Sequence, residues 1–424
     1  MGGGPGTDGT LSAELPLAGL RALDLADASG AVCGRILGDL GVDVVKIEPP
    51  GGEAARREPP FAGDAADVDR SLTWFAANLN KRGITLDLGS ETGWGLFERL
   101  VGTADVVVET PTARDALDYD QLAAINPRVI LVSITPYGLE GPLAGVAGSD
   151  LEVTAASGCL WLAGEAGRTP VRTSVPQSPS WTGMYAAAGA VMAVLAREVT
   201  GRGQQVDVSA QAGMLTATSQ APIFWDLLQE EQHRSGPFLV GRSVTGARFR
   251  NIWPCRDGYL TFALYGGQAG RESVRALVAW MDEALSQGAP AYLKGLDWDS
   301  FDVATARQSV VDEIEAAIAP FFAGLSKAEF FNGVSRHNML GYPLSSVDDM
   351  AADPQLASRG FWQPVDTAWN GEVCVPGSFA LFDGVRPRVR RGAPRVGEHT
   401  VEVLCEELGL RREELAMLRA AGSV

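Results

Sequence analysis

Between residues 20 and 135 the chain alternates short apolar runs with amphipathic segments, and this alternation constrains the fold more than any other feature. "LRALDLA" and "VDVVKIE" flank the small-residue segment "GAVCGRILGDLG". "GITLDLG" and "ADVVVET" flank "SETGWGLFERLVG", and "DYDQLAAI" then precedes "RVILVSI". A strand, a helix and a further strand in this order make a βαβ unit, and repeated units build a parallel sheet. The runs are almost continuous in Val, Ile and Leu, as strands covered on both faces must be. The expected class is therefore α/β, with a Rossmann-like, doubly wound parallel sheet. Ser90, followed by Glu91 and Thr92, marks the start of one of its helices.

The first strand-to-helix turn, "LADASGAVCG", does not spell G-x-G-x-x-G. Gly30 and Gly34 permit close packing, but the spacing that cradles a dinucleotide phosphate is missing, which weakens an oxidoreductase reading. Around residue 225 the pattern changes. "NIWPCRDGYLTFALYGG" reads as strand, turn and strand, with Asp257–Gly258 as the turn signal, and helical stretches follow. We expect a flexible tail over 1–16, a large domain over 17–225 and a smaller α+β domain over 226–334. Residues 335–424 form a return segment that completes the large domain.

The formal net charge of −17 opposes nucleic-acid binding, which needs clustered Lys and Arg. The densest basic stretch, "GVRPRVRRGAPR", is broken by Pro and reads as a solvated connector. The longest apolar run, "GMYAAAGAVMAVLA", is shorter than a membrane span and reads as a buried helix. The N-terminus has neither the basic nor the apolar region of a signal peptide. Cys33, Cys159, Cys255, Cys374 and Cys405 form no C-x-x-C pair, and the three histidines are dispersed. These features predict reduced thiols, no metal site and a cytoplasmic location.

Seven segments, in order, resemble the family III CoA-transferases, the group that includes formyl-CoA transferase, carnitine-CoA transferase and the α-methylacyl-CoA racemases. They are "LGDLGVDVVKIEPPGG", "NLNKRGITLDL", "ADVVVE", "INPRVILVSITPYGLEGP", "GSDLEVTAASG", "TGMYAAAGAVMAVLAREVTGRGQQVDVS" and "GAPRVGEHTVEVL". The middle of the chain looks most like the branch holding succinyl-CoA:benzylsuccinate CoA-transferase subunits. The resemblance implies a Rossmann-like domain, a small domain and two chains interlocked as a dimer. It also implies transfer of CoA from an acyl-CoA such as succinyl-CoA to a free carboxylic acid, with no cofactor beyond the CoA thioester.

That chemistry needs an accessible carboxylate nucleophile and donors for the developing oxyanion. The resemblance places the nucleophilic Asp four residues before the Gly that opens the small-residue helix. Counting back from Gly183 gives Pro179, and no Asp or Glu occurs between Glu165 and Glu198. Ser178 and Ser180 are hydroxyls without a base nearby in sequence. The expected local structure is a helix beginning at Trp181, with Ser180 as its cap and Pro179 fixing the turn. Racemisation needs a paired acid and base. The racemase histidine position holds Ser149, so that activity is not expected. Thr110 replaces a family Asn after "ADVVVE", and Arg114 is the one basic group in the shortened segment that follows.

The resemblance assigns CoA contacts to Asn80, Lys81 and Arg82, which otherwise read as a charged turn before a strand. It assigns a further contact to Asp150, which otherwise reads as a helix cap or loop hydrogen-bonding group. Gly201 and Gly203 suit a turn between helix and strand that needs positive φ. Two functional readings follow. In the first, the chain is the non-catalytic subunit of a heteromeric CoA-transferase whose paralogous partner carries the Asp. In the second, it is a self-sufficient enzyme with a replacement nucleophile.

Overall fold

The computed structural model describes residues 15–111, 116–240, 246–367 and 369–424. Most of the expected tail and Arg114 fall outside these residues. The chain divides into two compact units. The first comprises residues up to 157, 173–217 and 354–424; the second comprises 158–172 and 218–353.

The first unit is built on β1 (Arg21–Asp24), α1 (Ala31–Asp39), β2 (Asp43–Glu48), α2 (Leu72–Ala77), β3 (Lys81–Thr85) and α3 (Glu91–Val101). It continues with β4 (Val106–Glu109), α4 (Tyr119–Ile125), β5 (Ile130–Thr135) and α5 (Asp150–Ala156). After α6 (Cys159–Leu162), which belongs to the second unit, come α7 (Ser178–Thr200), β6 (Gln205–Ser209) and α8 (Ala210–Leu215). The six strands form one sheet in the order β3-β2-β1-β4-β5-β6, with every pairing parallel. This is the doubly wound order, with the switch point between β1 and β4.

Successive side chains of a strand point to opposite faces, and both faces of this sheet are covered. Leu23, Val45, Ile84, Val107 and Leu131 meet Phe97 and Leu100 of α3, Leu122 of α4, and Val403, Leu404 and Leu415 of the return segment. Ala22, Val44, Val106, Ile130 and Val132 meet Leu37 of α1 and Ala186, Ala187, Ala190 and Ala193 of α7. The small residues of α7 let its backbone approach closely: a Cβ on Gly183 would lie 2.6 Å from Val32 Cβ. Ser90 caps α3, accepting from the Gly93 N–H as the sequence suggests. At the far end of α7, Gly201 adopts φ +71°. Gly203 does not need positive φ; a side chain there would strike the Val129 carbonyl at 1.7 Å.

The second unit carries α9 (Gln220–Leu228) and the strand pair β7 (Phe238–Val240) and β8 (Arg248–Arg250). It also carries the three-stranded sheet of β9 (Ile252–Cys255), β10 (Gly258–Thr261) and β11 (Tyr342–Pro343). The helices α10 (Gly267–Ala284), α11 (Ala291–Gly295), α12 (Gln308–Gly324) and α13 (Lys327–His337) supply its core, centred on Trp253, Leu277, Ile314, Phe322 and Phe330. The unit runs past 334, to residue 353: β11 pairs with β10, the Leu344 N–H donates to the Tyr259 carbonyl, and Lys327 pairs with Asp349. Residues 158–172 join it because Gly236 N–H donates to the Gly164 carbonyl and Arg234 donates to the Trp161 and Arg168 carbonyls. Among the described residues, no helix is long and apolar enough to cross a membrane.

Candidate functional site

At the switch point, the loops that follow β1 and β4 diverge and leave a crevice at the carboxyl ends of the strands, the usual place for a ligand in an open α/β sheet. A cavity of about 500 Å³ occupies it. Leu25, Ile47, Leu86, Leu88, Trp94 and Leu117 give it apolar walls, and Glu48, Glu109 and Thr110 supply polar groups. Glu48 is neutralised by Arg56, with Nε–Oε1 and Nη2–Oε2 distances of 2.6 and 2.7 Å. Glu109 accepts from Ser133 Oγ at 2.7 Å and from the Leu117 N–H at 3.1 Å. Burial, outweighing these two bonds, raises its pKa above the ordinary glutamate value. The first turn of α1, which starts beside the crevice after Gly30, has no side-chain cap.

A second cavity, of about 420 Å³, opens where residues 391–399 cross α2. Its lining mixes Arg70, Arg391 and Arg395 with Asp67, Asp366 and Glu398. It lies away from the strand ends, so the crevice is the better candidate.

The residues matched to CoA contacts lie largely inside the fold. Lys81 is fully buried; its Nζ is 2.7 Å from Asp24 Oδ2 and donates to the Ala31 carbonyl and Asn78 Oδ1, each at 2.8 Å. The Asn80 side chain donates to Asp39 at 2.6 Å and accepts from the Arg390 N–H at 2.7 Å. Arg82 faces Asp43, Glu402 and Glu407, which hold its guanidinium charge more firmly than in water. None of the three lines the crevice. The sequence pattern showed a charged turn, and the structure shows the side chains turned inward to bind neighbouring segments.

Asp150 is placed elsewhere, at the start of α7. Its Oδ1 accepts from the backbone N–H groups of Gln177 and Ser178, both at 2.8 Å. The cap of its own helix is Ser149, whose N–H donates in turn to Glu152 at 2.9 Å. This corrects the expected start of α7. The helix begins at Ser178 rather than Trp181, and Pro179 sits within its first turn, where its missing N–H costs nothing. Ser180 is therefore not the cap. Among the described residues, no base is hydrogen-bonded to the Ser178 or Ser180 hydroxyl.

The sequence profile of CoA-transferase family III matches residues 17–400. The chain belongs to CoA-transferase family III. Among curated relatives of this family III CoA-transferase, it is 33% identical to the succinyl-CoA:(R)-benzylsuccinate CoA-transferase subunit BbsE of Thauera aromatica. That match covers 91% of this chain and 93% of the relative. It is 29% identical to the succinyl-CoA–L-malate CoA-transferase beta subunit of Chloroflexus aurantiacus, across 97% and 99% of the two chains. A CAIB/BAIF family protein from Brucella suis shares the fold with a TM-score of 0.74 at 27% identity, covering 92% of this chain and 99% of that one. Family membership and the parallel sheet agree with the expectations from the sequence motifs.

Proposed function

We propose that the chain is one subunit of a heteromeric CoA-transferase that moves CoA from succinyl-CoA, or a similar acyl-CoA, to a free carboxylic acid. The nucleophilic carboxylate belongs to a paralogous partner subunit. The observation that carries this reading is the first turn of α7, which holds Pro179 and no carboxylate of its own. Two relatives are themselves named as subunits of succinyl-CoA-dependent transferases. The outer face of α7 adds support: Met192, Leu195 and Val199 are 64, 65 and 90% exposed, more apolar surface on one helix than water favours. An interlocked partner chain covers that face.

In this reading CoA lies in the switch-point crevice, whose apolar walls include Leu25, Leu86 and Trp94. Asn80, Lys81 and Arg82 brace the scaffold from inside rather than touch CoA. The partner's carboxylate attacks the thioester carbonyl, the C–S bond breaks, and a mixed anhydride forms with release of CoA thiolate. The thiolate then attacks the enzyme's acyl carbon, freeing the first acid and leaving an enzyme–CoA thioester. The acceptor carboxylate attacks that thioester, and returning thiolate yields the new acyl-CoA and the free enzyme carboxylate.

One observation favours the self-sufficient alternative. Asp150 brings a carboxylate from outside the loop to the N-terminus of α7. If Oδ2 attacked a thioester, the N–H groups on Oδ1 would stabilise the oxyanion formed when thiolate returns. The deciding experiment is a transfer assay with succinyl-CoA and a panel of carboxylic acids, on the purified chain alone and with its paralogous partner. The heteromer reading requires turnover only in the mixture. Turnover by the chain alone would replace it with the alternative.

A further inference from the structure

We propose that Lys46 and Lys81 are positioning residues for the crevice: buried beside Glu53 and Asp24, they hold the two ends of the loop between β1 and α1. The functional part of this inference rests on the reading that the crevice takes CoA.

Both lysines are fully buried, on neighbouring strands. Lys46 Nζ pairs with Glu53 Oε2 at 2.8 Å and donates to the Ala26 carbonyl. Ala26 follows β1, and its N–H donates to Asp24 Oδ1 at 2.9 Å, so both backbone groups of this one residue are held. At the other end of the loop, Lys81 Nζ pairs with Asp24 and donates to the Ala31 carbonyl. Lys81 Nζ therefore has two hydrogen-bond acceptors, the Ala31 carbonyl and Asn78 Oδ1, and the Asp24 carboxylate as its counter-charge. Between the two anchors, the Asp27 N–H donates to Thr110 Oγ1 at 2.8 Å, and Thr110 lines the crevice.

The packing leaves the loop little room to shift. A Cβ on Gly30 would lie 2.5 Å from Thr110 Cγ2, and one on Gly34 would lie 2.0 Å from Asp24 Oδ2. Burying two ammonium groups and two carboxylates is expensive, and well-packed apolar side chains often stabilise a core as well or better. Apolar groups, however, cannot hold a loop carbonyl in place. The charges are aimed at the two carbonyls that set where the loop leaves β1 and where α1 begins, and this aim gives them a role beyond filling space. A ligand in the crevice then meets a wall already fixed before it binds, so less ordering is left for binding to offset.

The test removes each cation together with its carboxylate, so that no buried charge is left alone. The paired variants are Lys46→Met with Glu53→Gln, and Lys81→Met with Asp24→Asn. For folded protein, amide hydrogen exchange is followed over residues 25–31 and over β5, and CoA binding is measured by equilibrium dialysis. The proposal expects faster exchange over 25–31, unchanged exchange in β5, and CoA affinity lower by about 10-fold or more. Folded variants that bind CoA as tightly as the wild type would overturn it. If the wild type binds no CoA, the assignment of the crevice fails instead. The exchange data then decide the clamp alone, and unchanged exchange over 25–31 would reject it. If one paired variant does not fold, the other, which frees the opposite end of the loop, decides by the same two readings.

Discussion

The Asp150 carboxylate lies 2.8 Å from the backbone nitrogen of Ser178, so a side chain 28 residues earlier supplies the negative charge at the start of α7. The helix has no acidic residue in its own first turn. The free N–H groups and the dipole at that end both favour an anion.

Asp150→Ala should therefore cost about 1–2 kcal/mol of stability, in the range of other lost helix caps. Asp150→Asn keeps the acceptor oxygen and loses only the charge, so it should cost about 0.5 kcal/mol. Urea unfolding of the two variants beside the wild type checks both values. Equal losses would mean that the hydrogen bonds contribute nothing separable from the charge.

Glu109 gives a pH-dependent prediction. Burial raises its folded pKa above the ordinary value of 4.5, so the native state holds this proton more tightly than the unfolded chain does. The contribution of Glu109 to stability is greatest at low pH and is lost as pH rises through the raised pKa. Glu109→Gln cannot ionise, and its amide can still serve Ser133 and the Leu117 N–H. It should match the wild type below pH 4.5 and exceed it at neutral pH, as measured by melting temperature across the range. A variant less stable than the wild type at neutral pH would show that the ionised carboxylate is needed.

Gly34→Ala should destabilise the first unit by about 3 kcal/mol, because the new methyl group displaces the Asp24 carboxylate from Lys81. Gly95, where nothing lies within 4 Å of an added Cβ, provides the control. Gly95→Ala, within α3, should be neutral or stabilising by about 1 kcal/mol through helix propensity. Chemical denaturation of the two variants makes the comparison.

The sheet could be read from the sequence because each central strand is a local run of Val, Ile and Leu, and Ser90 announced α3 through its own neighbours. The ionic cluster could not. Lys46 stands inside "VDVVKIE", and nothing local says that a charged residue in that run turns inward to meet Glu53 and a loop carbonyl. Asn80 and Arg82 were hidden in the same way, because their partners Arg390, Glu402 and Glu407 lie more than 300 residues away in sequence. The start of α7 was misplaced for a related reason. Its cap comes from Asp150, and a local pattern sees only Ser180 and Pro179. The attachment of 158–172 to the second unit likewise depends on Arg234 and Gly236, which no pattern in 158–172 reveals.

The most direct test of the account is to locate the covalent intermediate during turnover. The chain, mixed with its paralogous partner, is supplied with succinyl-CoA, quenched, digested and analysed by mass spectrometry for an acyl or CoA adduct. The account predicts the adduct on a carboxylate of the partner and none on this chain, with Asp150→Asn leaving adduct formation intact. An adduct on Asp150, lost in the Asn variant, would contradict it and make this chain the catalytic one.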